Sequence, residues 1–518
     1  MSELPPAGEQ LPGLESASRA PAPAIAPITA ARPRVKPVDR SQLTWQMLDV
    51  ERLIEPEHSA RAIWELAGRL NLDAFYTPIE AVEGTAGRTP WDPRLLVSLW
   101  IYGYSRGISS AREIARRCAY EPAFQWLCGL GEINHHTLSD FRSNHDASLR
   151  ELFVQVLGVL GAEGLVSLER VMHDGTKVKA CASGDSFRRE QRLGEHLEAA
   201  RQLVQSLEQS ANDEPSRQQA AQQRAARQRQ QRLEHALVEL EKVRQAKRDV
   251  TGKDSARAST TDPQARVMKQ ADGGYAPSYN VQMSTEASHK IIVAVGLSQS
   301  SSDFAELLGG VNRIEQNLKT QPKQLVVDGG FTSRQNIMET AAQGIDLIGS
   351  WSEPKGGNTT GQALAPEFRA QAFTYDAAQD RYCCPEGHYL RLVYQHQGIG
   401  VVQHQYRADG SVCRACQFKA QCCPRGAQGR AIARSVDAPE VRQFREKMQT
   451  AQAQQIYSQR APVAEFPNAW IKEKLGLRQF RLRGLLKVGC EALWACLTYN
   501  VQQWIRLCWL PKLASAQN

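Results

Sequence analysis

Gln324-Leu325-Val326-Val327-Asp328-Gly329-Gly330-Phe331 is the stretch that decides how the rest of the chain is read. A short apolar run of strand character meets a carboxylate, and two glycines follow. Val171-Met172-His173-Asp174-Gly175-Thr176-Lys177 has the same form. In both, the strand is expected to close at the aspartate, with the glycine letting the backbone turn away and leaving the carboxylate uncrowded. Strand ends of open α/β sheets are where ligands and catalytic groups gather. Either aspartate alone could be an ordinary turn residue. Two such endings in one strand order argue against that.

Outward from these stretches, Tyr279–Ser284 and Lys290–Leu297 read as a hairpin turning at Glu286–His289. Gln324–Asp328 and Asp346–Trp351 are further strands, with helical patterns at Phe304–Leu318 and Arg334–Gln343. The order strand, strand, strand, helix, strand, helix, strand is what a ribonuclease-H-like sheet needs. The expected fold class is therefore α/β, with a ribonuclease-H-like mixed sheet core over 160–185 and 261–352. A polar insertion at 186–260 interrupts it. Leu193, Leu197, Ala200, Leu203 and Leu207, and after the Asn212-Asp213-Glu214-Pro215 break Leu233, Leu237, Leu240 and Val243, give an antiparallel helical hairpin with one apolar seam. Its Arg- and Gln-rich middle is either solvated or rests on DNA or a partner.

Residues 41–150 read as an all-α domain. Asp92-Pro93 is a helix start, and Ser110–Glu113 and Thr137–Asp140 are capping boxes. The basic ends (Arg112, Arg116, Arg117, His135, His136, Arg142) suit either a helix-turn-helix-like DNA reader or a small bundle with solvated charges. Residues 1–40, rich in Pro and Ala, read as a disordered leader; Arg32, Arg34, Lys36 and Arg40 leave a DNA-contacting arm as the alternative.

At 518 residues the chain exceeds one ordinary core, so two or three packed units are expected. A 42% hydrophobic and 23% charged composition fits a globular chain, and no apolar run is long enough for a bilayer. With no secretory pattern at the start, the expected location is cytoplasmic. The 63 basic against 55 acidic residues permit a polyanionic partner without proving one.

Two divalent ions need a third acid beside Asp174 and Asp328. Glu465 is the candidate, in Tyr457-Ser-Gln-Arg460-Ala-Pro-Val-Ala-Glu465-Phe-Pro-Asn-Ala-Trp-Ile-Lys472. Because proline is tolerated near a helix start, Pro467 is expected to put Glu465 at or before a first turn. Lys472 then lies two turns further along the same face.

These motifs together resemble bacterial insertion-sequence transposases of the DDE type, with an InsH-like helical N-terminal domain and the signature Tyr-x2-Arg-x3-Glu-x6-Lys. The resemblance runs from about 45 to 505. It also takes in Asp262-Pro-Gln-Ala-Arg-Val-Met, Tyr279-Asn-Val-Gln and Leu477-Arg-Gln-Phe-Arg-Leu-Arg-Gly-Leu-Leu-Lys-Val. One departure is visible: four residues, not three, separate Arg460 from Glu465. The resemblance implies Asp174, Asp328 and Glu465 as a catalytic triad holding two Mg²⁺ (or Mn²⁺) ions. Tyr457, Arg460, Lys472 and Lys177 are implied as accessory residues toward DNA phosphates. It further implies metal-dependent strand cleavage and strand transfer on double-stranded DNA, at the element's terminal inverted repeats and a target, by a homo-oligomer. A DNA-binding regulator without catalysis, and a helical, zinc-bearing interaction protein, are the rival readings. Arg478, Arg481, Arg483 and Lys487 read as a DNA-backbone track, Trp470 and Leu485–Trp509 as core.

Six of the twelve cysteines fall between Cys383 and Cys423. Cys384-Pro-Glu-Gly-His388, Cys413-Arg-Ala-Cys416 and Cys422-Cys423 have the form of knuckles around a closed structural zinc site. The expected ligands are Cys384, Cys413, Cys416 and Cys422, with Cys383, Cys423 and His388 as substitutes, in a zinc-ribbon-like insertion at 366–430. A reduced cluster without metal is the alternative. Residues 431–510 complete the catalytic core with the Glu465 helix.

Overall fold

Strand β1 (Arg170–Lys179) is central to a six-stranded sheet in a computed structural model of the chain. Described residues are 40–41, 47–81, 89–209, 216–247, 250–351, 364–424 and 428–517. Leader residues 1–39 and the Asn212–Pro215 break lie outside them. With β2 (Arg266–Lys269) and β3 (Tyr275–Glu286) named, β1 pairs antiparallel with β3, from Val171 opposite Glu286 to Lys179 opposite Ser278. On its other edge β1 runs parallel to β5 (Gln324–Val327), itself parallel to β6 (Asp346–Gly349). The far edge of β3 is shared by β4 (Ile292–Ser298) and, nearer its start, β2. Leaving β2 aside, the order across the sheet is third, second, first, fourth, fifth.

The two parallel connections require crossovers, and the helices Leu307–Leu318 and Arg334–Ala342 supply them. Pro277–Glu286 of β3 is buried throughout, as a strand covered on both faces must be. Among its buried polar residues, Asn280 and Gln282 both donate to Asp303.

One expectation fails here. β1 does not end at Asp174 but continues five residues to Lys179, because β3 pairs with it along that whole length. Gly175 is consequently no turn residue. A Cβ there would stand 2.5 Å from both Asp303 Oδ1 and Gln282 Nε2, so the glycine provides room, not a bend. The tail pairs with the end of β1: Phe480 N donates to Lys179 O at 2.8 Å, and Lys179 N to Arg478 O at 3.3 Å.

The N-terminal helices start largely where their caps predict. Asp92 accepts from Arg94 N with Pro93 in the first turn, and Ser110 accepts from Glu113 N. The Thr137 capping box is not used. Asn134 caps that helix instead, accepting from His136 N at 2.9 Å, and Thr137 lies inside His135–Asn144. Several basic ends are also spent internally. Arg142 is buried, donates to Ser109 O at 2.6 Å and lies over Trp100, while Arg116 and Arg117 pair with Glu113.

The helix Leu485–Trp504 explains why these helices and the sheet share one core. Its buried face meets the N-terminal helices through Trp494, whose indole donates to Arg142 O, and reaches β4 through Asn500. Asn500 accepts from Ile292 N and donates to Ile292 O, satisfying backbone groups on the edge strand. Val50–Asn518 accordingly forms one compact unit. The arginines before this helix are mostly tied down: Arg481 donates to Ser109 Oγ, Arg483 to Cys181 O, and Arg478 pairs with Glu473.

Between β1 and β2, the helices Glu190–Gln209 and Arg217–Ala246 pack along Leu193, Leu197, Leu233 and Leu240 with a core of their own. After β6, five antiparallel strands form a second sheet: β7 (Thr374–Asp376), β8 (Arg381–Cys383), β9 (Tyr389–Gly398), β10 (Val401–Ala408) and β11 (Ala431–Asp437).

Candidate active site

The parallel register fixes the first pair of acids. Met172 stands opposite Val326, so continuing two residues sets Asp174 level with Asp328, which lies just beyond β5. Asp328 Oδ1 accepts from Gly330 N at 2.7 Å, closing a tight turn, and a Cβ on Gly330 would meet that oxygen at 2.9 Å. Asp174 Oδ1 accepts from Gly175 N at 3.0 Å.

The helix Arg460–Glu473 lies across β1 and carries the third acid. Asn468 Nδ2 donates to Asp174 Oδ2 at 3.0 Å, and Lys472 Nζ donates to Thr176 Oγ1 at 2.5 Å. Asp174 and Thr176 share a face of β1 by strand alternation, as Glu465, Asn468 and Lys472 share a helix face. The Arg460 guanidinium sits between the acids, 3.9 Å from Asp174 Oδ1 and 3.7 Å from Glu465 Oε1. The Glu465 side chain is 63% exposed, against 16% for Asp174. Pro467 falls inside this helix, not at its start, so Glu465 occupies a mid-helix position. Burial at Pro467 and contacts to β1 outweigh the loss of one helical hydrogen bond.

Other predicted residues scatter. Tyr457 packs against the hydrophobic core from the preceding helix, Ala451–Ser458. Lys177 falls on the opposite face of β1 from Asp174, with His173 and Gly175. Trp470 is partly buried and donates to Gln502. His173 is wholly structural: it hydrogen-bonds Ser284, meets Phe331 edge-on, and burial, aided by Arg313, drives its pKa down to about 3.

A further buried network near these acids was missed, on the Gly175 face of β1. Asp303 Oδ1 accepts from Asn280 Nδ2 at 2.7 Å and Gln282 Nε2 at 2.8 Å, and it faces Gly175 and Gly330. Its setting, a serine-rich loop before a helix, carries no motif. The available signal was in β3, where the amides Asn280 and Gln282 alternate with the apolar Tyr279, Val281 and Met283.

The electrostatics are those of a site short of positive charge. The Asp174 carboxyl is pushed up to about 6, chiefly by burial; Arg460 opposes this, while Asp328 and Asp303 add to it. Burial lowers the Lys472 pKa, with Asp174 opposing. Asn468 Oδ1, Asn280 Oδ1 and Gln282 Oε1 are buried without a protein partner among the described residues. Carboxylate and amide oxygens are the donors that Mg²⁺ or Mn²⁺ prefers, so the chemistry of the set fits such ions. Among the described residues no group of three or more His, Cys, Asp or Glu stands close enough to hold one, because Glu465 points outward.

A transposase DDE domain model matches residues 383–505, a span containing Glu465 and the cysteine cluster but neither Asp174 nor Asp328. A transposase domain model (DUF772) matches residues 48–144. No curated protein matches the sequence. Among solved structures, a piggyBac transposase synaptic complex with hairpin DNA aligns over 86% of this chain and 75% of its own, at 9% identity and a TM-score of 0.25. A likeness that loose carries no argument. No helix among the described residues is long and apolar enough to cross a membrane.

Proposed function

We propose that this chain, which belongs to the insertion-sequence transposases of the DDE type, cuts and joins DNA strands at the ends of its element by metal-dependent phosphoryl transfer. The observation that carries the reading is the register of β1 and β5, which sets Asp174 beside Asp328 while Asn468 and Lys472 pin the Glu465 helix across them. The strand order supports a ribonuclease-H-like core.

Asp174, Asp328 and Glu465 would hold the ions. Divalent ions bound there supply Lewis acidity at the scissile phosphate and a more acidic attacking water. Glu465 has to swing in from solvent, and Arg460 leaves the two carboxylates and turns to a phosphate, for which its planar fork is suited. Lys472 holds a further phosphate oxygen as a point charge. Asn468 keeps the Asp174 carboxylate in one orientation while this happens.

The test is Mg²⁺-dependent cleavage of a duplex carrying the element's terminal inverted repeats, run beside an end-binding measurement. Cutting that disappears with Glu465→Gln while binding persists is the expected result. Binding by the wild type without any cutting would establish a regulator, and no binding an interaction protein.

A further inference from the structure

We propose that Cys384, Cys413, Cys416 and Cys422 bind one structural zinc ion that staples the second sheet together. All four line a single cavity of about 30 Å³, room for one ion or one water molecule, with Cys423 and His388 beside them. They arrive from separate pieces of chain. Cys384 opens a turn in which Gly387 N donates to Cys384 O and Cys384 N to His388 O, both at 2.8 Å; Gly387 takes a φ of +80° to close it. Cys413 lies on the short helix Gly410–Ala415 and Cys416 immediately after it, while Cys422 ends Lys419–Cys422.

Two of the sulfurs already accept backbone hydrogen bonds. His388 N donates to Cys384 Sγ at 3.3 Å, and Arg430 N to Cys413 Sγ at 3.4 Å. Outer partners of this kind orient thiolates toward a metal and spread their charge. Cys383 is not part of the set: its thiol meets Cys384 O instead of the cavity. Soft sulfur donors select zinc over the hard ions that suit the carboxylates.

The packing supplies an independent reason for a staple. Among the described residues, the buried core cluster here is Phe373, Leu390, Tyr406, Ala408 and Ile432, separate from the main one. A core of that size does not hold a loop-rich sheet by apolar burial alone, and a closed zinc site makes up such a deficit. Among the described residues no three of the side chains stand at ligand spacing. Zinc binding would draw the sulfurs in, each Cys releasing its thiol proton to solvent.

The full-length chain, purified reduced and without chelator, is expected to carry about one zinc per chain by elemental analysis. Cys413→Ser with Cys416→Ser should lower that at least tenfold, whereas Cys383→Ser should leave it unchanged. Should the double variant fail to fold, wild-type protein loaded with cobalt(II) gives the deciding spectrum, with thiolate charge-transfer bands and tetrahedral intensities. A wild type that holds no zinc and yields no such cobalt spectrum overturns the proposal. Zinc lost from Cys383→Ser or Cys423→Ser but kept in Cys422→Ser overturns the ligand set.

Discussion

The two sheets of this protein are held by different means. In the six-stranded sheet, β3 is covered on both faces and the helix Leu485–Trp504 fills the space between sheet and N-terminal helices. In the five-stranded sheet, β9 leaves Leu392, Val393 and Tyr394 exposed, and among the described residues the buried apolar cluster holds five side chains. That sheet is moored instead by Asp437, which accepts from both Arg334 and Arg445 at 2.9 Å. On the proposed function, Asp174 and Asp328 stand on the first kind of framework, where packing fixes their backbone positions. The thiols of the proposed zinc site stand on the second.

The sharpest way to break this contrast is at the acids. Asp174→Asn or Asp328→Asn is expected to reduce strand cleavage by about a thousandfold or more, ~4 kcal/mol of barrier, with end binding changed by less than about threefold. Either variant cutting at wild-type rate removes that residue from the triad. Next in size is a core deletion. Trp494→Ala should cost about 3–5 kcal/mol and lower amide-exchange protection in helices and main sheet alike. Leu390→Ala should cost about 2–4 kcal/mol, with the loss confined to 364–437. Equal spread of the two losses would show that the sheets unfold as one.

Lys472→Ala is expected to weaken cleavage by about ten- to a hundredfold and to flatten the salt dependence of DNA binding by about one charge. An unchanged slope would leave Lys472 as a strut for Thr176 only. The smallest effect is on stability. Without metal, the raised Asp174 pKa favours the neutral acid in the native state. That contribution is full below the ordinary aspartate range and is lost as pH rises through about 6. Asp174→Asn should therefore stabilise the metal-free protein by about 1–2 kcal/mol at pH 7.5 and flatten its pH profile between 4 and 7 in chemical denaturation. A variant less stable than wild type at pH 7.5 would mean the carboxylate is already neutralised by Arg460.

Much of the fold was legible because its signals are local. Strands at Gln324–Val327 and Asp346–Gly349, and helices at Leu307–Leu318 and Arg334–Ala342, fall within a few residues of their apolar patterns. The failures share one cause. Gly175 looked like a turn, Pro467 like a helix start and Arg142 like a DNA contact. Their roles are set by Asp303, the β1 face and Trp100, all remote in sequence.

By itself, then, the sequence determined the elements, the spacing of Glu465 and Lys472, and the residue types able to hold hard and soft metals. Periodicity, caps and side-chain chemistry need no knowledge of neighbours. Tertiary structure alone decided that β1 and β5 run in the register that brings Asp174 toward Asp328, that Asn468 and Lys472 bind to β1, and that Glu465 is exposed with Arg460 between it and Asp174. The strand register and the docking of the Glu465 helix join segments more than a hundred residues apart, and no window along the chain contains them.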